Sequence, residues 1–331
     1  MSVDHRLTAR AAAHPTGGRT ASGRRRGRRA ALLVSTCTLA LLGGTGVSSA
    51  AVAPACEGSA APVTPYKHVV WIIMENRSYA DIVGSPDAPY LNSLGCGQAA
   101  NYHNITHPSL PNYIAMTSGL PAASLPSTDC FRVVCSISAP SIFGQVSTAG
   151  LTWGTYAESM PSPCDAQDKR PYVVHHNPPP FYADAATLCP TNDLPYTSMD
   201  PNNLPNFSVI IPNVDNNMHD GSIPTGDTWL ATNLQPILAS SDYLAGQTAV
   251  FITWDEGSAP RHTKNCALNT TDYGCHVLTE VIAESVPPNT VSATLFNHYS
   301  LLRTTEELLE LPLLGSAADA TTSSMRAGFA L

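Results

Sequence analysis

Five short stretches of this 331-residue chain hold side chains able to bind a cation or to move a phosphoryl group. They are ENRS (75–78), THPSLPNY (106–113), VDNNMHDGS (214–222), DEGS (255–258) and the pair Asn297-His298. Glu75, Asn76, Asp255 and Glu256 offer oxygen donors, which suit a hard divalent cation rather than a thiolate-type zinc site. Ser109 is a hydroxyl that a neighbouring base or cation would turn into a nucleophile. His107 precedes it by two residues, which in an extended segment puts both side chains on one side. A phosphate contact and a structural role weigh equally for His107. His219 follows Asp215 by four residues and adjoins Asp220. Arg77 is either a phosphate clamp or the ion-pair partner of the acid near it.

Each piece alone has a plainer reading. Glu75 would serve as a helix cap or ion-pair partner, and Asp215 with His219 as a hydrogen-bonded surface turn. Asp255-Glu256 would open a solvated loop, Ser109 would cap the helix before NYIAM, and His298 would cap its helix or pack in the core. Together they argue otherwise. Adjacent carboxylates and several imidazoles gathered at strand ends repel or desolvate one another unless a cation or phosphate group lies among them.

The elements that must position these residues are visible as apolar runs. HVVWIIM (68–74), LTWGTYA (151–157), FSVIIP (207–212), TAVFITW (248–254) and TEVIAESV (279–286) are continuous rather than alternating. That pattern predicts strands buried on both faces in an α/β sheet. Three of the polar stretches directly follow such a strand, at the C-terminal edge where open α/β sheets gather their sites. Helical periodicity covers 226–241 and 298–312, the second stopped by Pro312. The Pro- and Asn-rich stretch 178–205 reads as a long surface excursion without a core of its own. No repeat is visible, and residues 54–331 read as one domain.

Charge is unevenly spread. Eight of the 17 Lys and Arg lie in the first 29 residues beside one acid, leaving 9 basic against 24 acidic residues and a net of −15. An acidic body argues against nucleic acid as a partner. Small phosphorylated substrates stay open, because they need only a local positive site. The basic stretch 23–29 leads into an uncharged apolar run ending in small residues, the pattern of a secretory signal over 1–53 cleaved after Ala50 or Ala53. The paired arginines raise twin-arginine export, although Ala31 stands where that motif wants a bulky residue; an uncleaved anchor is the alternative. The expected location is extracellular.

Nine cysteines are present, and Cys37 falls within the signal. The other eight form an even set, expected in an oxidising compartment as up to four disulfides. Cys130/Cys135 and Cys266/Cys275 read as local staples and Cys164/Cys189 as the closure of a longer loop. His262, in PRHTKNC, is expected on a disulfide-tied loop over the site mouth.

ENRS behind a buried strand, PSLPN, NNMHDGS, TWDEG and NHYSLLRTTEELLEL, in that order across residues 66–312, resemble the phosphoesterase family of bacterial phospholipases C and acid phosphatases. The resemblance implies an alkaline-phosphatase-like three-layer α/β/α sandwich with a mainly parallel central sheet. It implies that Ser109 is transiently phosphorylated and that Asn112 holds a phosphate oxygen. It implies one divalent metal ion on Glu75, Asn76, Asp255 and Glu256, open among calcium, magnesium, manganese and iron. Many acid phosphatase relatives have Asp-Asp where this chain has Asp255-Glu256, which bears on metal geometry. Asp215, His219 and His298 resemble a second metal site of two-metal relatives. In the acid phosphatase branch these positions contact phosphate, so Asp215 and His298, with His107, are assigned to substrate phosphate.

The expected function is a secreted, metal-assisted phosphomonoesterase with phosphoinositides within reach. Ser109 attacks phosphorus, and His219, oriented by Asp220 or Asp215, protonates the leaving alkoxide, which favours mildly acidic pH. The substrate is a small or lipid-headgroup phosphomonoester, and membrane contact is expected only through such a lipid. Headgroup selection falls to loops 121–140 and 157–205. Two alternatives stand: a phospholipase C-type phosphodiesterase, and an inactive exported binding protein, against which Ser109 and both acidic clusters speak.

Overall fold

The structure, a computed structural model, describes residues 56–258 and 265–331. The secretory signal expected over 1–53 and His262 lie outside the described residues. Among the described residues nine strands build one sheet: β1 (His68–Met74), β2 (Gly97–His103), β3 (Trp153–Ala157), β4 (Asp193–Pro195), β5 (Phe207–Ile211), β6 (Thr248–Trp254), β7 (His276–Ile282), β8 (Val291–Ser292) and β9 (Phe296–Asn297). Their order is β4-β3-β5-β1-β6-β7-β2-β8, with β9 beside β2. The α-helices are α1 (Tyr79–Ile82), α2 (Ser109–Ser118), α3 (Ile142–Thr148), α4 (Cys189–Asn192), α5 (Ile223–Asn233), α6 (Gln235–Leu238), α7 (Ser241–Leu244), α8 (His298–Leu308) and α9 (Arg326–Phe329).

β1 lies parallel between β5 and β6, while β7 runs antiparallel to both of its neighbours. Every residue of β1, β3, β5 and β6 is buried, so the sheet is covered on both faces, as its continuous apolar runs require. This is the three-layer α/β/α arrangement with a mainly parallel sheet.

Several elements differ from the sequence expectation. β2 (GQAANYH) has no apolar run; Ala99 and Tyr102 bury it, and a register shift between them marks a bulge against β7. The seventh strand starts at His276 rather than 279. The helix expected over 226–241 starts at Ile223 and divides near Pro236, which lacks the N–H that would continue it. The stretch 178–205 is no mere surface excursion. Phe181, Tyr182, Ala185 and Cys189 are buried in it, Asp193–Pro195 forms the edge strand β4, and Asn177 Nδ2 donates to the buried Asp193 Oδ2 at 2.8 Å. The disulfides join the three expected pairs, Cys130–Cys135, Cys164–Cys189 and Cys266–Cys275, and add Cys56–Cys96.

Register sets the site. Met74 is paired with Trp254 across β1 and β6, and the Asp255 N–H donates to the Met74 carbonyl at 3.0 Å. Glu75 and Asp255 therefore leave the sheet side by side.

Candidate active site

α2 begins at Ser109 with Pro108 at its N-cap, so the hydroxyl lies at the positive end of a ten-residue helix, where an alkoxide is favoured. Ser109 Oγ donates to Glu75 Oε2 at 3.3 Å, and both residues are buried. Tyr113, one turn further along α2, donates its hydroxyl to Glu75 Oε1. His176 Nε2 lies 3.4 Å from the same oxygen without a hydrogen bond, and burial holds its ring well below the usual histidine range, so it packs there uncharged. Asn76 Nδ2 donates to Glu75 Oε2 and the Asn76 N–H to Asp255 Oδ1, each at 3.4 Å. Glu256 turns the other way and meets His107 Nδ1 at 2.7 Å and Asn112 Nδ2 at 3.4 Å.

The second wall is the 213–222 loop. The Glu75 N–H donates to the Asn217 carbonyl at 2.9 Å, which ties this loop to the end of β1. His219 Nδ1 lies 2.7 Å from Asp220 Oδ1, and Asp220 also pairs with Arg170. That leaves Nε2 as the ring nitrogen able to exchange a proton with a substrate. The His219 and His176 ring centroids are 5.8 Å apart. A Cβ at Gly221 would meet the Asp215 carbonyl oxygen at 1.8 Å, so the turn behind His219 closes only with glycine. Asn76 (φ 48°) and Met218 (φ 81°) both hold left-handed backbone on the two loops that meet here, local strain of the kind that collects at functional sites.

Electrostatics favour a positive charge among these acids. Burial drives the Glu75 carboxyl well above the usual carboxylate range, and Asp255 and then Glu256 add repulsion. Burial, with Glu256 beside it, lifts Asp255 to about 7; burial lifts Glu256 to about 9. Asp255 Oδ2 is buried with no hydrogen-bond partner. An oxygen-rich set containing an orphaned carboxylate oxygen fits a divalent cation held by Glu75, Asn76 and Asp255, with Glu256 adjoining. Two tighter trios, His107/Cys266/Cys275 and Cys164/Cys189/Asp193, have their sulfurs committed to disulfides and are not metal centres.

A family model described as the phosphoesterase family matches residues 96–312. The chain belongs to the phosphoesterase family. It is similar to a phosphatidylinositol-3-phosphatase of Mycobacterium tuberculosis, 32% identical over 80% of this chain and 84% of that one. It is also similar to an acid phosphatase of Aspergillus fumigatus, 26% identical over 79% of this chain and 61% of that one, so it spans under two thirds of the fungal protein's length. Among solved structures, an alkaline phosphatase superfamily protein of Vibrio parahaemolyticus aligns with TM-score 0.53 at 10% identity, over 79% of this chain and 71% of that one. The lipoteichoic acid synthase LtaP of Listeria monocytogenes aligns with TM-score 0.53 at 8% identity, over 78% of this chain and 74% of that one. These two speak for the fold alone.

Within this phosphoesterase the expected residues divide. Ser109, Glu75, Asn76, Asp255, Glu256 and His107 come together, and His219 with Asp220 stands across from them. Asn112 is buried with its amide spent inside the chain. Its Oδ1 accepts from the Ile105 and Thr106 N–H groups, and its Nδ2 donates to the Thr106 and Pro108 carbonyls besides Glu256. It clamps the turn that delivers Ser109. His298 is buried with Nε2 2.6 Å from the Asp255 carbonyl and Nδ1 3.1 Å from the Tyr102 hydroxyl, so both nitrogens are occupied; it braces the backbone behind the acids rather than facing phosphate. Asp215 is exposed and bonds through its N–H to Asn213 Oδ1. Arg77 donates to the Asn76 and Gly221 carbonyls, which makes it a tie between the two loops instead of a carboxylate partner.

Four participants lie outside the sequence expectation. Tyr113 was legible, since Ser109, Asn112 and Tyr113 at i, i+3 and i+4 share one helix face. His176 and Arg170 were not, because they arrive on a long connection with no periodicity. Asp129 accepts the Leu110 N–H at 2.8 Å, an acid at the start of α2 beside the nucleophile.

Proposed function

We propose that this chain hydrolyses phosphoric monoesters through a phosphoserine at Ser109, with a divalent metal ion as cofactor. The family and the named phosphatases similar to it carry the coarser statement, that it is a phosphoric monoester hydrolase. The observation that carries the finer one is Ser109 Oγ at the start of α2, bonded to the buried Glu75 carboxylate.

The Ser109 hydroxyl proton is directed at Glu75 Oε2, so an acceptor lies where the alkoxide forms. The bond from Oγ to phosphorus forms as the bond to the ester oxygen breaks, in line with one another. His219 Nε2 gives its proton to the departing oxygen, held in orientation by Asp220 at Nδ1. Water enters where the alcohol left and gives its proton to His219, its oxygen bonds to phosphorus, and the Ser109–phosphate bond breaks as Glu75 returns the proton to Oγ. A cation on Glu75, Asn76 and Asp255 would supply Lewis acidity to the serine oxygen and neutralise phosphate charge.

The substrate reading extends to phosphoinositide headgroups, supported by the similarity to the mycobacterial enzyme. Export is part of the same reading: four disulfides among the described residues fit an oxidising compartment, and no helix among them is long and apolar enough to cross a membrane. The test is turnover of p-nitrophenyl phosphate. Wild type should release phosphate, and acid-quenched protein should carry one phosphate on Ser109 by peptide mass spectrometry. Ser109→Ala should show neither; turnover retained by that variant would sink the reading.

A further inference from the structure

Five of the large apolar side chains exposed among the described residues lie within two short rings, each closed by a disulfide. Phe131 (50% exposed), Val133 (90%) and Val134 (78%) lie inside Cys130–Cys135, and Leu268 (75%) and Tyr273 (48%) inside Cys266–Cys275. The remaining three, Leu188, Leu244 and Val291, are scattered. Single exposed apolar residues are ordinary, but such clusters mark a surface that meets something.

Both rings are anchored beside the nucleophile. Asp129, next to the first ring, holds the Leu110 N–H at 2.8 Å, one residue past Ser109. The second ring is pinned at both ends: the Cys266 N–H donates to the Ile105 carbonyl at 2.8 Å, and the Asn104 N–H to the Cys275 carbonyl at 3.1 Å. The rings therefore flank the approach to Ser109.

Exposed cations lie at the same place, among the acids Asp129, Asp165 and Asp168. The first ring forms one wall of a cavity of about 780 Å³ through Phe131, Arg132 and Val133, facing Gln167 and Asp168, which Lys169 and Arg170 follow. Three of the nine Lys and Arg beyond residue 29 thus lie on this rim of an otherwise acidic body. Arg132 and Lys169 are exposed and make no ion pair among the described residues. Apolar tips interleaved with solvated cations are complementary to the phosphate and acyl boundary of a phospholipid surface.

We propose that this face seats on a phospholipid bilayer, with Phe131, Val133, Val134 and Leu268 entering the headgroup layer and Arg132 and Lys169 on lipid phosphates. The bilayer thereby presents a monophosphorylated headgroup to Ser109. A protein seated on both rings would close the entrance to the site, whereas a bilayer brings the substrate phosphate between them. The inference rests on the phosphomonoesterase reading and adds direct membrane contact to it.

The experiment compares wild type with the triple variant Phe131→Ser, Val133→Ser, Val134→Ser on two substrates. One is p-nitrophenyl phosphate; the other is phosphatidylcholine vesicles containing a phosphatidylinositol monophosphate, with co-sedimentation measured in parallel. The variant is expected to keep its soluble rate and to lose about tenfold or more in vesicle binding and vesicle hydrolysis. Should it lose the soluble rate as well, Leu268→Ser makes the same comparison from the other ring. Wild type that does not sediment with vesicles, binds a protein partner instead, or is matched by both variants on vesicles overturns the proposal. Wild type that sediments with vesicles but hydrolyses neither substrate supports the docking surface and overturns the phosphatase reading instead.

Discussion

Tyr113 and His176 stack with ring centroids 5.7 Å apart and planes 18° from parallel, and both reach the same oxygen, Glu75 Oε1. One comes from α2 and the other from the connection between β3 and β4. Tyr113 fixes one oxygen of the acid, with the His176 ring packed against it, and leaves Oε2 to Ser109 and the Asn76 amide. Tyr113→Phe keeps the ring and removes only the hydroxyl. It is expected to lower activity or metal affinity by about 10–100-fold, the usual effect of losing a group that orients a ligand. Circular dichroism should be unchanged while kcat falls.

Asp220 should govern the pH range of turnover. Slight burial pulls its carboxyl up, but the bond and charge of His219 and the Arg170 guanidinium outweigh this and hold it below the usual carboxylate value. Asp220→Asn removes the carboxylate that orients His219 through Nδ1 and is expected to lower kcat. His219→Asn should remove the alkaline limb of the kcat profile, and Asp220→Asn should alter it. A profile unmoved by either substitution would exclude His219 as the acid.

Asn112 offers a choice between two measurements. If it is the clamp its bonds describe, Asn112→Ala leaves buried backbone groups unpartnered at about 1–3 kcal/mol each, and the melting temperature drops. A phosphate ligand without that structural duty would instead raise KM at unchanged Tm. The first outcome is expected.

The acid cluster should behave oppositely with and without a cation. In chelated protein, Asp255→Asn relieves repulsion with Glu75 and Glu256 and is expected to raise Tm. In protein refilled with calcium, magnesium, manganese or iron it removes a ligand, so Tm and turnover should both fall. Differential scanning calorimetry in both states, with activity alongside, reads this reversal.

Glu280 on β7 predicts a stability slope away from the site. Burial lifts its carboxyl to about 8, opposed by Gln98 Nε2, which donates to Glu280 Oε1. The folded chain then holds a proton that the unfolded chain releases near pH ~4.3, so stability falls as pH rises from about 4.5 to 8 and then levels. Glu306, lifted to about 8 by burial, acts with the same sign. Glu280→Gln is expected to flatten its share of the decline in Tm between pH 5 and 8, roughly the window between those values.

What could be read from sequence follows from where positional information lies. β1 and β6 declare themselves because burial on both faces demands unbroken apolar residues, and the acids that end them stand out by contrast. β2 does not, since GQAANYH is held by pairing with β7 and β9 more than by its own hydrophobicity. His298 opens its helix as the periodicity predicts, but the side of the backbone it faces depends on Asp255 and Tyr102, far away in sequence. His176 owes its position to the Cys164–Cys189 closure and the buried aromatics after it, which no local period encodes.

The pairing of Met74 with Trp254 has a further consequence. Hydrogen bonds between two neighbouring strands fix the acids, so the ring at 130–135 can be exchanged without disturbing them. Chains sharing one chemistry could in this way be addressed to different surfaces by recutting six residues at the rim.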